Sequence, residues 1–569
     1  MSSQFIIECL DCHHQNPFTI TSTTCPKCGS GWRETKYDYA SLKQTFPIQI
    51  QGRAFNLWRY RELLPVRTYN PELTFGEGGT PLIRAANLGM MLGCPHIYIK
   101  DERQSPTASF KDRQAAVTIA ALKEAGVTEA VIASTGNVAI SYSAYAARAG
   151  IKLWAFITSL VPPVKMREVA LYGTQVVKVT GNYDQAKQVA AEFARQRALF
   201  IDKGVRSITT VDSMKTLAYE ISEQLTGLLG PPNHANNQNQ PPPRPWRVPD
   251  WYIQSVSGGM GPVGVIKGFD ELVALDLVSH TPAVANIQAE GCSPMVRAWK
   301  ENKDIADPVR TPRTRIVTLA TGDPGRTYTL LRERMLSRSG GTFESVSDEE
   351  AFRAMHITAK MEGLSIEPAT AVAFAGLINM VRSGQIKSSD IVVLNCTGHT
   401  VPVQQEVIGD DWVRDSDYQP EKMIDRVSVS IPEDGLLAAL NHVTVDRYPR
   451  VVIVDDHIHV RRLIRKILQS QGEYTLYEAE DGKSAITLIQ KEIPDLVILD
   501  LMMPEMDGFS VLDELRNDPA TASIPVIVVT AKELTEKEKE RLEGQIQSLM
   551  QKGDFMNDEL LEEVRSLVK

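Results

Sequence analysis

Short apolar runs alternate with longer amphipathic or alanine-rich stretches along roughly the first 400 residues. The apolar runs are rich in Val, Ile and aromatic residues and predict strands, while the alanine-rich stretch over 138–149 predicts a helix. The predicted strands cover residues 96–100, 130–133, 153–157, 175–179, 251–255 and 391–395. Strands and helices alternating at this spacing indicate an α/β fold, in which open parallel sheets carry helices on both faces. Ligands of such sheets bind beyond the carboxyl ends of the strands.

A second, independent pattern of buried strands begins at residue 450 and extends to the C-terminus. Two stretches fit neither pattern. Residues 231–250 are rich in Pro, Asn and Gln, a composition that cannot bury a core, and we predict an exposed insertion there. Residues 411–449 are charged and contain proline, which predicts a linker between the two patterned regions.

Composition places the chain among ordinary globular proteins. It has 569 residues, 43% of them hydrophobic, which at ~100–200 residues per domain predicts three or four domains. The 61 Lys and Arg against 70 Asp and Glu leave a net charge of −9, which argues against binding to nucleic acid or anionic membranes. No apolar run approaches the ~20 residues that span a bilayer, and no basic leader is evident. We therefore expect a cytoplasmic protein without a membrane partner.

Four of the seven cysteines form two Cys-x-x-Cys pairs separated by twelve residues. Cys9, Cys12, Cys25 and Cys28 can supply four thiolates, which close a tetrahedral shell around Zn²⁺. A closed shell leaves no open position, so this zinc should be structural. The alternative is two redox pairs or thiols without a role. The odd cysteine count and the clustering do not suit a secreted disulfide framework.

The stretch 105–113 (Ser-Pro-Thr-Ala-Ser-Phe-Lys-Asp-Arg) places Lys111 just after a Ser/Thr/Pro turn. We expect a Ser or Thr side chain of this turn to cap a helix that begins near Lys111. The positive end of the helix dipole would then disfavour the charged form of the amine. A lysine that loses its proton easily is what Schiff-base chemistry requires. The alternative is a solvated surface lysine.

Lys111 is accompanied by other motifs that occur in a fixed order. They cover residues 78–82, 105–113, 133–137, 171–174, 257–261, 289–294, 367–371 and 396–399. Over about 340 residues the chain resembles the threonine synthase family, pyridoxal-phosphate (PLP) enzymes of the tryptophan-synthase-β fold type. The resemblance implies a two-lobed PLP fold type II enzyme with open parallel sheets.

The resemblance also implies roles for individual residues. Lys111 would hold PLP covalently and, once released by the substrate amine, transfer protons at Cα and Cβ. Asn137 would bind the PLP phenolic oxygen, and Thr397 the pyridine nitrogen, where a hydroxyl suits β- and γ-replacement better than transamination. The PLP phosphate would lie in a glycine-rich loop made of Ser257, Gly258, Gly259, Met260 and Gly261. The substrate carboxylate would be bound by Ser134, Thr135, Gly136 and Asn137.

The stretch 204–216 departs from the family pattern. Threonine synthases usually carry Asn-Ser and then an arginine here, which hold the substrate phosphate. This chain has Gly204 and Val205 at the Asn-Ser positions and Thr210 at the arginine position. Because charge-assisted contacts are the main means of binding a phosphate dianion, Arg206 would take this role only in a rebuilt loop. Met260 also stands where relatives often have Thr or Asn.

Residues 450–569 resemble a response-regulator receiver domain, which has a flavodoxin-like fold. The resemblance implies that Asp455, Asp456 and Asp500 bind Mg²⁺, an ion that prefers oxygen ligands, and that Asp500 accepts a phosphoryl group. Thr530 and Lys552 would contact that group and stabilise its charge. Leu549 replaces the aromatic residue that often accompanies the lysine, which predicts a readout through Thr530.

These observations predict a zinc ribbon over 1–36, a PLP enzyme over 37–410, the 411–449 linker and a receiver over 450–569. The leading hypothesis is a threonine synthase-like lyase of amino-acid biosynthesis that acts on a small amino acid. Its partner would be a sensor histidine kinase or phosphotransfer protein, and we expect a homo-oligomer. The alternatives are a cysteate-synthase-like β-replacement on a serine-derived substrate and a catalytically silent sensor or scaffold in phosphorelay signalling.

Overall fold

The computed structural model describes residues 5–134, 136–159, 161–180, 183–232, 246–338, 340–400, 449–471, 474–531, 534–552 and 559–567. The chain divides into two compact units, one containing residues 1–89 and 94–401 and the other containing residues 90–93 and 402–569. Thr135, most of the predicted insertion and nearly all of the predicted linker lie outside the described residues. Every helix in the described ranges is too short or too polar to cross a membrane.

The chain begins with a small antiparallel sheet that carries the cysteine pairs. Its strand order is β2-β1-β3. The strands are β1 (Phe5–Cys9), β2 (Gln15–Pro17) and β3 (Arg33–Tyr37). The first strand ends at Cys9, and the turns that follow carry the other three cysteines. Such a short segment has little core of its own, so it depends on a metal or on its neighbours for stability.

The first unit contains a six-stranded sheet with the order β12-β11-β10-β13-β5-β4. Its strands are β4 (Leu82–Arg84), β5 (Ile97–Asp101), β10 (Trp251–Ser255), β11 (Ala283–Ala289), β12 (Gly341–Val346) and β13 (Val392–Cys396). All neighbours pair in parallel except the edge strand β4, which is antiparallel to β5. The predicted open parallel sheet is therefore confirmed with one antiparallel edge, an arrangement common in large α/β sheets.

A second, smaller sheet has the order β8-β7-β6-β9, and all of its pairs are parallel. Its strands are β6 (Glu129–Ser134), β7 (Lys152–Thr158), β8 (Gln175–Val179) and β9 (Phe200–Ile201). The α-helices of the first unit lie before, between and after these strands. They are α1 (Tyr39–Gln49), α2 (Ala86–Met91), α3 (Lys111–Glu124), α4 (Asn137–Ala149), α5 (Pro163–Leu171), α6 (Tyr183–Gln196), α7 (Ile208–Met214), α8 (Thr216–Leu229), α9 (Met260–Ala274), α10 (Pro294–Lys300), α11 (Thr327–Leu336), α12 (Asp348–Glu362) and α13 (Pro368–Arg382).

A fully buried group of ions, which we call the Arg113 cluster, fixes the start of α3. Arg113 donates to Glu102 over 2.7 and 2.8 Å and to Glu220 over 2.6 and 2.7 Å. The ammonium of Lys100, at the end of β5, lies 2.7 Å from Glu220 Oε2. Buried charges are tolerated only when they are paired, so these contacts hold α3 in one position relative to β5 and α8.

A second buried group, the Asp212 cluster, joins the ribbon to α7 and α9. Its members are Thr35, Tyr37, Asp212, Lys215, Lys267 and Glu271. Thr35 Oγ1 and Tyr37 OH, both from β3, donate to Asp212 Oδ2 over 2.5 and 2.9 Å. Burial acts to raise the pKa of Asp212, but Lys215 and Lys267 outweigh it and lower that pKa. The ribbon strand is therefore part of the core of the first unit.

The second unit contains a five-stranded parallel sheet with the order β15-β14-β16-β17-β18. Its strands are β14 (Arg450–Val454), β15 (Thr475–Ala479), β16 (Leu496–Leu499), β17 (Val526–Thr530) and β18 (Ser548–Gln551). Its helices are α14 (Ile458–Gln471), α15 (Gly482–Glu492), α16 (Gly508–Asn517), α17 (Glu536–Leu542) and α18 (Glu559–Leu567). A parallel sheet with helices between successive strands is the predicted flavodoxin-like fold.

Candidate functional site

Lys111 is the first residue of α3, which follows β5 of the six-stranded sheet. The predicted substrate loop, 134–137, follows β6 of the four-stranded sheet. The two carboxyl ends meet here, because Asn137, which follows β6, donates over 2.9 Å to Glu367, and Glu367 lies 3.4 Å from the hydroxyl of Thr397, which follows β13. The predicted residues therefore come from the carboxyl ends of two different sheets, the position where ligands of α/β proteins bind.

The amine of Lys111 is strongly perturbed. Burial lowers the pKa of Lys111 to about 8, although the carboxylates of Asp202 and Glu367 favour the charged form. The prediction of an easily deprotonated lysine is confirmed in direction, but burial is the main cause and not the helix dipole. The predicted Ser or Thr cap is wrong, because Phe110 is the N-cap residue and no side chain caps α3. Asp112 instead accepts from the Thr107 amide and hydroxyl over 2.7 and 2.6 Å.

Thr397 is held next to the Lys111 turn by backbone contacts. The Phe110 amide donates to Thr397 O over 3.0 Å, and the His399 amide donates to Ala108 O over 3.0 Å. The Thr397 hydroxyl lies 2.7 Å from the hydroxyl of Thr370. These bonds bring together two predicted cofactor residues that are almost 290 residues apart in the sequence, 111 and 397.

A line of polar side chains crosses the site from α5 to α13. Lys165 Nζ donates to Asn137 Oδ1 over 2.8 Å, and Asn137 Nδ2 donates to Glu367 Oε2 over 2.9 Å. The Thr397 hydroxyl lies 3.4 Å from Glu367 Oε1. Sequence reasoning gave no role to Lys165 or Glu367. The position of Glu367 inside the 367–371 motif was the one signal that could have identified it.

The predicted phosphate loop leads into the first turn of α9. Gly259 is the N-cap residue with φ +80°, where a Cβ would lie 2.9–3.2 Å from Leu331, Thr327 and Met295 side chains. A Cβ at Gly258 would have only Thr321, 4.0 Å away, within contact range, so space is open in front of this turn. Backbone N–H groups at a helix start, with room beside them, fit a phosphate ester.

The two other predicted binding stretches are occupied by internal contacts. The Ser134 hydroxyl accepts from the Gly136 and Ala139 amides, both over 3.0 Å, and therefore supports the turn into α4. Thr210, at the position where the family resemblance implies an arginine, is buried and donates to Asp202 Oδ2 over 2.9 Å. A substrate phosphate is bound by cationic side chains, and a carboxylate at this position would repel it.

The predicted receiver residues lie at the carboxyl ends of neighbouring parallel strands. Lys552 Nζ is 2.7 Å from both Asp455 Oδ2 and Asp500 Oδ2. Partial burial acts to lower the pKa of Lys552, but these two carboxylates raise it. Asp455 and Asp456 form a group of possible metal ligands with His457, whose Nδ1 is 2.6 Å from Asp456 Oδ1. Sequence reasoning did not include His457 in the site.

The four ribbon cysteines come together as predicted. One ligand atom from each of Cys9, Cys12, Cys25 and Cys28 lies within 4.8 Å of all the others. The sulfur of Cys9 is 3.5 Å from that of Cys28, and the sulfur of Cys12 is 3.7 Å from that of Cys25. Four sulfurs at this separation could hold one metal ion.

Comparison with known proteins identifies both regions. The family model described as pyridoxal-phosphate dependent enzyme matches residues 73–398. The chain belongs to this family. The model of the response regulator receiver domain matches residues 451–565, so this PLP-family chain also carries a receiver. Both recognitions made from sequence motifs are confirmed.

Two curated relatives to which this chain is similar are threonine synthases. This PLP-family chain is 32% identical to the threonine synthase of Methanocaldococcus jannaschii over 69% of its own length and 91% of that protein. It is 30% identical to the threonine synthase of Methanosarcina acetivorans over 71% and 93%. Among solved structures, the processed form of threonine deaminase isoform 2 from Solanum lycopersicum covers 65% of this chain and 94% of that one, at 19% identity and a TM-score of 0.48.

The lowered pKa of Lys111 gives a direct test of this environment. In protein freed of PLP, we expect acetic anhydride to react with Lys111 half-maximally at about pH 8. In urea-denatured protein the reactivity of Lys111 should still increase toward pH ~10, because an ordinary lysine has a pKa near ~10.4. Peptide mass spectrometry after labelling across this pH range measures both profiles. Identical profiles for Lys111 in the folded and the denatured protein would contradict an environment that lowers its pKa.

Proposed function

We propose that this chain is a PLP-dependent lyase of the threonine synthase type, which replaces or eliminates a β- or γ-substituent of a small amino acid. The observation that carries the proposal is the environment of Lys111, a half-buried lysine whose pKa is lowered to about 8 at the carboxyl ends of two sheets. An amine that is partly neutral near physiological pH can attack the cofactor aldehyde and can transfer protons. The similarity to two curated threonine synthases supports the reaction class.

Each residue of the site has a separate role in the proposed reaction. Bound PLP supplies an electron sink for bonds at Cα. Lys111 accepts the proton from Cα and returns one later, and the amides of Gly258 and Gly259 bind the phosphate of PLP. The Thr397 hydroxyl binds the pyridine nitrogen without a formal charge, so it does not enforce ring protonation. Asn137 binds the phenolic oxygen, for which its amide must turn from Glu367.

A turnover experiment tests the proposal. The purified protein with PLP is mixed with O-phosphohomoserine, O-phosphoserine, O-acetylserine and serine in turn. We expect at least one of them to change the absorbance of bound PLP and to release its leaving group at a rate that depends on enzyme concentration. Absence of both signals with every amino acid, in protein that does bind PLP, would leave a non-catalytic sensor or scaffold as the better hypothesis.

A second candidate function is β-replacement on a serine-derived substrate. The hydrogen bond from Thr210 to Asp202 favours it, because it places a carboxylate where the family resemblance would place a phosphate-binding arginine. An acidic neighbour favours an uncharged leaving group over a phosphate dianion. Faster release of acetate from O-acetylserine than of phosphate from O-phosphohomoserine, measured in the same assay, would support this candidate over threonine synthesis.

We propose that the cysteine group holds one structural zinc ion. We expect one zinc per chain in anaerobically purified protein and its loss in Cys25→Ser and Cys28→Ser, because three thiolates no longer close the tetrahedral shell. Cys94→Ser is the matched control, since Cys94 is a buried free cysteine outside the ribbon. Metal analysis measures all four proteins. Wild-type protein without zinc would refute the site.

We propose that Asp500 is phosphorylated and that Asp455 and Asp456 bind the Mg²⁺ this step requires. A small-molecule phosphoryl donor with Mg²⁺ should label the wild-type chain and leave Asp500→Asn unlabelled. Asp513→Asn, at an exposed ion pair on α16, should be labelled normally. Gel separation of the phosphorylated form measures the extent of labelling. Equal labelling of Asp500→Asn and wild type would place the phosphoryl group on another residue.

We further propose that phosphorylation changes the activity or the assembly of the enzyme. A new charge of roughly −1.5 to −2 at Asp500 can shift a two-state surface at Thr530 and Lys552. Typical couplings are ~1–3 kcal/mol, or roughly 5- to 150-fold. Turnover and oligomer size are compared with and without the phosphoryl donor. If neither turnover nor oligomer size changes in phosphorylated wild type, the receiver acts on a separate protein of a histidine kinase pathway and not on the enzyme.

A further inference from the structure

The stretch 203–216, in which the family resemblance would place a substrate-binding arginine, carries three cations, Lys203, Arg206 and Lys215. Lys215 is buried in the Asp212 cluster, 3.0 Å from Asp212 and 3.1 Å from Glu271. Lys203 donates to Thr23 of the ribbon over 3.3 Å. All three contacts use the ammonium, so neither lysine is directed to a bound substrate.

The third cation of this stretch, Arg206, also lies against the ribbon. Its Cδ is 3.5 Å from the position of a Cβ on Gly31, and the residue is exposed. The rebuilt loop in which Arg206 would bind the substrate is therefore not what the chain adopts. The hydrogen bond from Thr210 to Asp202 brings a carboxylate to this stretch and not a cation.

A cation does reach the site from the opposite side. Lys165 lies in the first turn of α5, and its Nζ is 2.8 Å from Asn137 Oδ1. Its side chain crosses the substrate loop, because a Cβ on Gly136 would lie 3.2 Å from Lys165 Cδ and 3.7 Å from Nζ. Gly136 has φ +134° and no side chain, so the Lys165 side chain lies directly against the backbone of Gly136.

The neighbours of the Lys165 ammonium are suited to an anion. Its hydrogen-bond partner is a neutral amide oxygen, and the carboxylate of Glu367 is bonded to the other end of that amide, Asn137 Nδ2. The ammonium can leave a neutral amide oxygen and pair with a bound anion at low cost. A carboxylate bonded directly to the ammonium would instead compete with the anion. Among the described residues the Lys165 ammonium forms no ion pair, so it can turn toward a ligand at the loop without breaking one.

We propose that Lys165 is the substrate-binding cation of this enzyme and pairs with an oxyanion of the bound amino acid. The inference rests on the proposed function and adds a residue that sets substrate affinity. The oxyanion is either the α-carboxylate, which every amino-acid substrate has, or a phosphate leaving group. Lys165 does not take part in proton transfer, which belongs to Lys111.

The test measures binding apart from turnover. L-Serine and O-phospho-L-serine are titrated separately into PLP-loaded wild type, Lys165→Gln, Lys165→Arg and Lys178→Ala, and the absorbance change of PLP gives each dissociation constant. A hydrogen bond to a charged group contributes ~1.5–3 kcal/mol, so we expect Lys165→Gln to weaken binding about tenfold or more. Lys165→Arg should retain most of the affinity. Lys178→Ala, at an exposed position of β8, should behave as wild type.

The two probes separate the two sources of the oxyanion. Equal weakening for both amino acids in Lys165→Gln assigns the α-carboxylate, and weakening for O-phospho-L-serine alone assigns the phosphate. Either result supports the proposal. Wild-type affinity of Lys165→Gln for both probes would overturn it while leaving the proposed function intact. If wild type itself responds to neither probe nor to any other amino acid, the proposed function fails and this inference fails with it.

Discussion

Replacement of Lys111 with alanine should leave the protein unable to form the yellow complex with PLP and should reduce turnover by ~10²–10⁴-fold or more. The reason is that, under the proposed function, one amine with a lowered pKa both binds the cofactor covalently and transfers protons. Absorbance after incubation with PLP and the rate of leaving-group release measure the two effects. PLP content after gel filtration shows whether the cofactor still binds without the covalent bond.

Lys123→Ala is the matched control, because Lys123 lies on the same helix and is exposed. It should bind PLP and turn over substrate as wild type does. Borohydride treatment adds a decisive readout, since it reduces a lysine-linked PLP to a stable bond that can be located by peptide mapping. Lys111→Ala protein that still gives a borohydride-stable PLP adduct at another single lysine would refute the assignment.

Replacement of Asp212 with alanine should destabilise the first unit by roughly 3–5 kcal/mol. Lys215 and Lys267 would remain buried with Glu271 as their shared carboxylate, at 3.1 and 3.8 Å, and the hydroxyls of Thr35 and Tyr37 would lose their acceptor. Removing one member of a buried ion group costs far more than the group itself contributes. Urea unfolding followed by tryptophan fluorescence reports mainly on the first unit, because six of the seven tryptophans belong to it.

Asp270→Ala provides the comparison for this stability measurement. Asp270 pairs with Arg338 on the surface of the same unit, where both side chains are about one-third exposed. Such pairs contribute about 0–1 kcal/mol, so the unfolding midpoint should move little. If both variants lose the same stability, the Asp212 cluster has no special role. A loss confined to Asp212→Ala supports it.

Several strands rich in β-branched or aromatic residues could be predicted from the sequence, and some others could not. Residues 175–179 and 251–255 were predicted with the bounds that β8 and β10 have, because β-branched and aromatic side chains dominate these runs. β11 was not predicted, since it buries the polar side chains of Asn286 and Gln288 and so lacks an apolar run. β15 was also missed. It is an edge strand that is only partly buried, which weakens its hydrophobic signal.

The site residues that belong to sequence motifs could be predicted. Those that reach the site from distant helices and strands were missed. Lys111 and Thr397 belong to recognisable motifs, and the backbone bonds between their turns agree with a common site. Asp202, Lys165 and Glu367 reach the same place from three elements whose relative positions depend on the packing of two sheets. The local sequence does not specify how the two sheets pack. Without that information, a lysine on α5 cannot be distinguished from a surface lysine.

The ribbon strand β3 contributes two side chains to a buried ion group of the enzyme, which limits how this chain could have evolved. A chain that begins at residue 37 would lack Thr35, and it would leave Asp212 without one of its hydroxyl donors beside two buried ammonium groups. The ribbon is thus not an interchangeable module. Its gain or loss in a lineage should be accompanied by simultaneous substitutions at positions 212, 215 and 267, which is a pattern that ancestral reconstruction can examine.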